Sequence, residues 1–576
     1  MAETLPLAED LDGVNEVNQH DEGTEFHGAS GAWAFLSKLR AKAREAQRQV
    51  EPSAPNSPSF SAVSYLRDPT DGEQASLRHS QLPVPTLQPD HGLERAAVLL
   101  YFDGLHVVHP FLDREAFLLQ CEQKIWSMVT RATTGGNNHF NALYNMVLAL
   151  GLITANQTSA NLCDVGLTGD NPTPSATGAF APPVQWAEFF FSRAKTNLGD
   201  IFHSTSIDAT AALFLMSVYC QNALRPHSCY LYSGMAVRTA LACGIASRVS
   251  AKHPWSSKLW WALFSHELEM CSSVGRETAL ASSEAYAIPL PRADPEAIAG
   301  LIECMVRFAD IHRRISSTSY PVVASDLWMT RSMQAMEVEA DLKLWKSSLG
   351  AALDYDKQSF TDSEWRLKQK LVLQLRYSNA RILLHRPFFS CGGALTAKTA
   401  MLDHIRPCVD ASISTIDVLY AAYTSRPWFR SWWYNTTYLL YAEMVILYIL
   451  LSDVEVWPEI SLREKAQQGL STLESMKSNM VARECATVVR EVLSIVTSLS
   501  DSRRNCRQLT EPMAHNAPAP AIHPSAQDAL MIDTQETSLF GDKLLVEDCE
   551  DLFCNLADSS FLDDLLHTEL WNMDTT

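Results

Sequence analysis

The stretch HPWSSKLWWALFSHELEMCSSVGRETALASSEAYAIPLP, residues 253–291, decides the fold. On a helix, Leu259, Leu263, His266 and Met270 form one stripe, Trp260, Phe264, Glu267 and Cys271 a second, and Trp261 with Leu268 a third. A helix that is apolar nearly all round is buried inside a large protein rather than laid on its surface. Gly275 supplies the left-handed residue that stops such a helix, and Arg276 stands where a cation meets the last carbonyls. Ile288-Pro289-Leu290-Pro291 then reads as extended chain, because proline drives its predecessor out of the helical region.

The 576 residues exceed what one core fills, since cores stop growing near ~250–300 residues. With 47% hydrophobic and 19% charged residues, most of the chain is globular. A net charge of −20 argues against a broad phosphate-binding surface, so any DNA contact is expected from a small basic element. None of the 13 cysteines lies two residues from another, and most fall in apolar helical runs. They read as reduced, buried thiols of an intracellular protein, not as a disulfide framework or a zinc site. The acidic N-terminus lacks a signal pattern. The most apolar run, Tyr438 to Leu451, is too short to span a bilayer and carries Glu443, so no membrane is expected.

Residues 1–30 are acidic and are expected to be disordered. A helix over 30–50 carries Trp33, Phe35, Leu36 and Leu39 beside Lys38, Arg40, Lys42, Arg44 and Arg48. It reads as an import or nucleic-acid patch, or as a solvated amphipathic helix. Prolines among serines make 51–91 a linker. From Gly92 a helix runs through Phe102, His109-Pro110 breaks it, and Asp113 caps the next. His106 and His109 have no third ligand nearby and read as structural. Helices follow over 141–155, 185–202, 208–223 and 226–243, with a surface loop at 156–182. Asp208 is the expected N-cap of the third of these, which forms a hairpin with the fourth through Arg225-Pro226. Gly234, costly inside a helix, is expected to serve a close helix–helix approach. Apolar periodicity continues over 297–315, 336–349, 365–384, 403–423 and 432–451, with two helices between 462 and 499. No segment shows strict two-residue alternation, so 92–500 is all-α. A second linker over 501–541 leads to 542–576, where acidic residues keep Phe553, Leu556, Phe561, Leu565, Leu566 and Trp571 in water. That composition is that of an activation segment folding on coactivator proteins, the alternative being a terminal helix docked on the protein's own core.

Several phrases recur in a telling order. Tyr101-Phe102 and His109-Pro110-Phe111 open, followed by Ser233-Gly234-Met235-Ala236-Val237-Arg238 and Leu241-Ala242-Cys243-Gly244-Ile245. Trp260-Trp261, Gly275-Arg276 and Pro289-Leu290-Pro291 come next, then Leu383 to Phe388. This series resembles the middle homology region of fungal zinc-cluster transcription regulators, over about 92–455. Glu277 stands where that family usually has proline, and His266-Glu267 where it often has aspartate.

The resemblance implies a nuclear protein with a helical regulatory domain, a small-molecule effector and a dimer partner. It also implies zinc and DNA binding through an N-terminal cluster of six cysteines that docks a helix in the major groove. Here the first cysteine is Cys121, so no zinc or other cofactor ligands are visible and DNA is expected to be reached indirectly or weakly. An upstream exon encoding six cysteines would restore the usual arrangement. His266-Glu267 opens like HExxH but has Met270 in the second histidine's place, and neither a nucleophile elbow nor a phosphate loop occurs. Asp563-Asp564 lacks a third acid at the spacing of terpene cyclases. An enzyme is not expected. The expected function is activation of RNA polymerase II transcription, reached through a partner or the 33–48 helix. The alternative is a modulator of a full-length zinc-cluster regulator that does not itself bind DNA.

Overall fold

The computed structural model describes residues 13–17, 24–28, 31–50, 91–127, 138–155, 184–201, 205–247, 255–291, 297–319, 328–357, 362–389, 395–432, 434–452, 457–476 and 480–510. The linker at 51–90, the loop at 156–182 and the acidic segment 542–576 with all its anchors lie outside these residues. Fifteen helices are described: α1 (Ala32–Val50), α2 (His91–Asp103), α3 (Arg114–Cys121), α4 (Asn138–Ile153), α5 (Val184–Leu198), α6 (Ile207–Asn222), α7 (Pro226–Ala242) and α8 (Ser256–Val274). They continue as α9 (Gly300–Ser319), α10 (Trp328–Ser347), α11 (Glu364–His385), α12 (Leu395–Ser425), α13 (Asn435–Leu450), α14 (Glu459–Ser475) and α15 (Met480–Thr510). The fold is all-α, as its periodicity requires. One small antiparallel hairpin, β1 (Gly13–Val17) with β2 (Thr24–Gly28), stands in the leader where no regular structure was expected.

Three apolar cores organise the helices. The first gathers α2 to α8 and the inner face of α9, with Trp260, Trp261 and Phe264 at or below 1% exposure. The second joins α1 to α12, α13, α14 and α15, and the third packs α9, α10 and α11 together. As expected, α8 is buried almost throughout and ends at Gly275, whose φ is 70°. The Arg276 amide then donates to the Cys271 carbonyl at 2.8 Å, and its guanidinium lies 4.7 Å from the centre of the Tyr230 ring. Ser257 and the Trp261 indole both donate to the Pro289 carbonyl, which folds the extended segment back along α8.

Asp113 caps α3 by accepting from the Ala116 amide at 2.9 Å. For α6 the cap is Ser206, which accepts from Ala209 at 3.0 Å; Asp208 falls inside the first turn, facing the positive end of the helix. Nothing lies within 4 Å of where a Cβ would stand on Gly234, so that glycine serves no close approach. The close approach belongs to Gly151 of α4, where a Cβ would overlap the Ala97 carbonyl of α2. A second is Gly469 of α14, which leaves room for the Glu443 carboxylate of α13. Glu443 is 0% exposed, neither of its oxygens has a hydrogen-bond partner, and burial pushes its pKa well above the carboxylate range. Helix α12 begins earlier than 403 and passes through Pro407 without ending, leaving the Asp403 carbonyl without its helical donor.

Helix α1 is part of the body. Phe35, Leu36, Leu39, Ala43 and Ala46 are buried in the second core against α13 and α15. Ahead of it, Gly28 and Gly31 rest on the Gly275 turn so closely that a Cβ on Gly28 or Gly275 would meet the other's main chain.

A buried polar junction as the candidate functional site

The three cores are tied by polar side chains that nearly apolar helices carry inward. Glu269 of α8 accepts from the Tyr438 hydroxyl at 2.7 Å, also accepts from Tyr434, and pairs with the Arg376 guanidinium of α11 at 2.7 Å. Burial alone would raise the Glu269 carboxyl, but Arg376 and the two tyrosines outweigh it and hold it below the usual range. Arg376 is pushed up because the same pairing overcomes its own desolvation. Tyr441 adds a bond to the Ser273 carbonyl at 3.2 Å. The central helix is thus clamped to α11 and α13 by a charge pair buried on both sides. Removing one member of such a pair costs about 3–5 kcal/mol, because the other is left uncompensated.

A second chain of polar groups crosses α10, α11 and α12. Ser332 lies 2.7 Å from His404 Nε2, His404 Nδ1 lies 2.8 Å from His385 Nδ1, and His385 Nε2 lies 3.3 Å from Glu339. Arg381 closes the chain on Glu339 at 2.9 Å. One set of tautomers satisfies every member: Ser332 donates to His404, His404 to His385, and His385 to the Glu339 carboxylate. Burial, then the neighbouring His385, pushes His404 down to about 3, so it is neutral. Burial raises Glu339, yet bonds from His385 and Arg381 prevail and bring it to about 2. The row resembles a catalytic relay, but Ser332 is only 5% exposed.

This chain explains the phrase Leu383 to Phe388. His385 is its middle, Phe388 stacks on His404 at 4.1 Å, and Arg386 lies 4.5 Å from the Phe35 ring centre of α1. The other sequence decoys are also spoken for inside the fold. His266 bonds Ser217 at 2.8 Å, Glu267 accepts from Ser233, and His106 donates to the Leu112 carbonyl at 2.8 Å. Among the described residues no group of three or more His, Cys, Asp or Glu could hold a metal, and the described cysteines are free thiols. Cys121 is itself buried. No described helix is long and apolar enough to cross a membrane.

The structure separates the five cations of α1. Lys38 and Arg48 are exposed, Lys42 and Arg44 are half-buried, and Arg40 is 7% exposed beside Glu491 of α15. Lys42 lies 5.0 Å from the Tyr448 ring centre. Trp260, Trp261, Gly275 and Arg276 all stand at the heart of α8 and its exit. Sequence reasoning missed the clamp partners Arg376, Tyr434 and Tyr438, and an exposed apolar stripe on α10. There Met329, Met333, Met336 and Leu344 face outward, Met333 at 66% and Leu344 at 68%. Its spacing of four, three and eight residues was the available signal.

Residues 98–321, which cover most of the first core and α9, match the fungal specific transcription factor domain. The chain is 21% identical to an uncharacterized transcriptional regulatory protein of Schizosaccharomyces pombe, over 83% of this chain and 58% of that protein. It is 20% identical to transcription factor FBD3 of Fusarium pseudograminearum, over 84% of this chain and 68% of that one. It is 21% identical to the thiamine repressible genes regulatory protein thi1 of Schizosaccharomyces pombe, over 70% and 50%. The chain therefore spans between half and about two thirds of the length of these relatives.

Proposed function

We propose, from the premise that residues 98–321 are a fungal specific transcription factor domain, that this protein is a nuclear regulator of RNA polymerase II transcription. The helical body is its regulatory part, and residues 542–576 are the segment that contacts coactivators through Phe553, Leu556, Phe561, Leu565, Leu566 and Trp571. Acidic residues keep that apolar set soluble until a hydrophobic groove takes it up as a helix. DNA is reached chiefly through a partner or dimer. What supports that route is the position of the basic helix: its apolar face is committed to the second core, and only Lys38 and Arg48 of its five cations are exposed.

The observation that carries the reading is the domain match at 98–321. It is tested by tethering the chain to a promoter through a foreign DNA-binding domain. Reporter activation is expected, with its loss on deleting 542–576; unchanged activation after the deletion would remove the tail from the mechanism. Chromatin occupancy of the untethered protein tests access to DNA. Discrete peaks that vanish when Lys38 and Arg48 become alanine would assign access to α1, and peaks that persist would assign it to a partner. A protein with no enrichment anywhere favours the second reading, a modulator of a full-length regulator.

A further inference from the structure

We propose that the outward face of α10 is a self-association surface, on which a second copy of this chain lays its own α10 antiparallel, about a two-fold axis at Ala340. The inner face of α10 is committed to the third core through Trp328, Ala335, Val338, Leu342 and Trp345. On the other side Met329, Met333, Met336, Ala340, Leu344 and Ser347 follow one another at three- or four-residue steps, and all are exposed. That spacing sets them in one row along the helix. Large apolar side chains gathered on a surface mark an interaction site, where scattered ones do not. At about 100° per residue Ala340 stands in the middle of the row, with Met336 and Leu344 one turn to either side, Glu337 on one flank and Lys343 on the other.

A two-fold axis at Ala340 makes the row complementary to itself. Residues equally far before and after 340 come level across the pair, so Met336 meets Leu344, Met333 meets Ser347, and Glu337 stands level with Lys343, each twice. The small side chain at the axis lets the two helices approach closely. Charge decides both the direction and the occupant. A parallel pair would set Glu337 level with Glu337 and Lys343 with Lys343, whereas the antiparallel pair sets opposite charges together. The other charges on the sides of α10 are engaged within the chain, Asp341 by Arg314, Lys346 by Asp356 and Glu339 by Arg381. The acidic segment 542–576 finds no complement here. It carries ten carboxylates to one lysine, while the row offers it one exposed cation, Lys343, already 3.3 Å from Glu339. Helix α10 is about 30 Å long, so two such faces cover less than the roughly 1,200–2,000 Å² of a standard interface, and the dimer is of micromolar strength. The inference gives a surface to the dimer invoked above for access to DNA, and it rests on that reading for its purpose but not for its existence.

The test is sedimentation equilibrium of the full chain, in which the mass should rise from monomer toward dimer between about 1 and 100 μM. Ala340→Lys, a change at an exposed site, should hold the chain monomeric with its circular dichroism unchanged. Glu337→Lys places a lysine level with Lys343 twice, and Lys343→Glu places a glutamate level with Glu337 twice, so each should weaken self-association by about tenfold or more. Mixed together, the two variants bring opposite charges level at both places and should associate with each other. A chain that stays monomeric throughout, or one whose dimer survives Ala340→Lys, would overturn the proposal. So would a mixture of the two charge variants that associates no better than either alone. Dimerisation that appears only after 542–576 are deleted would give the row to that segment and equally overturn it. The readout is a mass and not transcription, so its failure leaves the regulator reading standing, and the failure of that reading leaves the mass unchanged.

Discussion

Replacing Glu443 with glutamine should make this protein more stable, by an amount that grows with pH. The carboxyl is fully buried on α13, has no partner for either oxygen, and lies over Gly469 of α14. Burial is the sole cause of its raised pKa, so it stays protonated in the folded chain at pH values where the unfolded chain, with its carboxyl near 4.5, has ionised. A group whose folded pKa is raised contributes stability that is fully present below about pH 4.5 and is lost as pH climbs toward the folded value. Over the pH range in which the folded carboxyl stays protonated, the unfolded state gains about 1.4 kcal/mol for each pH unit above its own pKa. Glutamine ionises in neither state and removes that loss. Its amide buries one more polar hydrogen than the carboxylic acid, which takes back about 1 kcal/mol. Urea unfolding followed by circular dichroism at pH 5, 6, 7 and 8 should show Glu443→Gln ahead of wild type at pH 7, with the gap widening by up to about 1.4 kcal/mol per pH unit. The difference should shrink toward pH 5. A variant that is less stable at pH 7, or a difference that does not change with pH, would refute the reasoning.

Gly469→Ala should destabilise by about 1–3 kcal/mol, because its Cβ overlaps the Glu443 carboxylate, and Glu443→Ala should restore most of the loss in the double variant. Gly234→Ala should do the reverse and raise stability by about 0.5–1 kcal/mol in the same denaturation assay, since its Cβ meets nothing. His404, held near 3 by burial and His385, binds its proton late in the folded state, so stability is present above about pH 6.5 and falls as pH drops toward 3. His404→Gln should be weaker at pH 7, through the lost Ser332 and His385 bonds, yet its stability should fall less steeply over that window.

The sequence made helix existence and burial legible wherever the signal was local. The three apolar stripes of α8, the stop at Gly275, the Asp113 cap and the Arg225-Pro226 hairpin all follow from residues within a few turns of one another. What a glycine does depends instead on what another element brings to it. Gly234 and Gly151 look alike in sequence, yet only Gly151 faces a backbone. The same holds for the candidate site. Glu269 could be read as a carboxylate on a buried face, but Arg376, Tyr434 and Tyr438 lie more than a hundred residues away, and no periodicity joins them to it. Glu443 stood out in an apolar run without revealing that nothing would pair with it. Cap choice was a near miss of two residues: Ser206 and Asp208 both suit the start of α6, and backbone geometry at 206 decided between them.

The docking of α1 has a consequence for how the chain can be divided. Its apolar face is completed by α13 and α15, from the far end of the sequence, while residues 51–90 separate it from the next described helix. A protease cut between Val50 and His91 would break the covalent path but not the contact. The two pieces should elute together as a non-covalent complex, and dilution should part them where it leaves the intact chain whole. The body is in this sense a receptor that carries its own first helix as a tethered ligand.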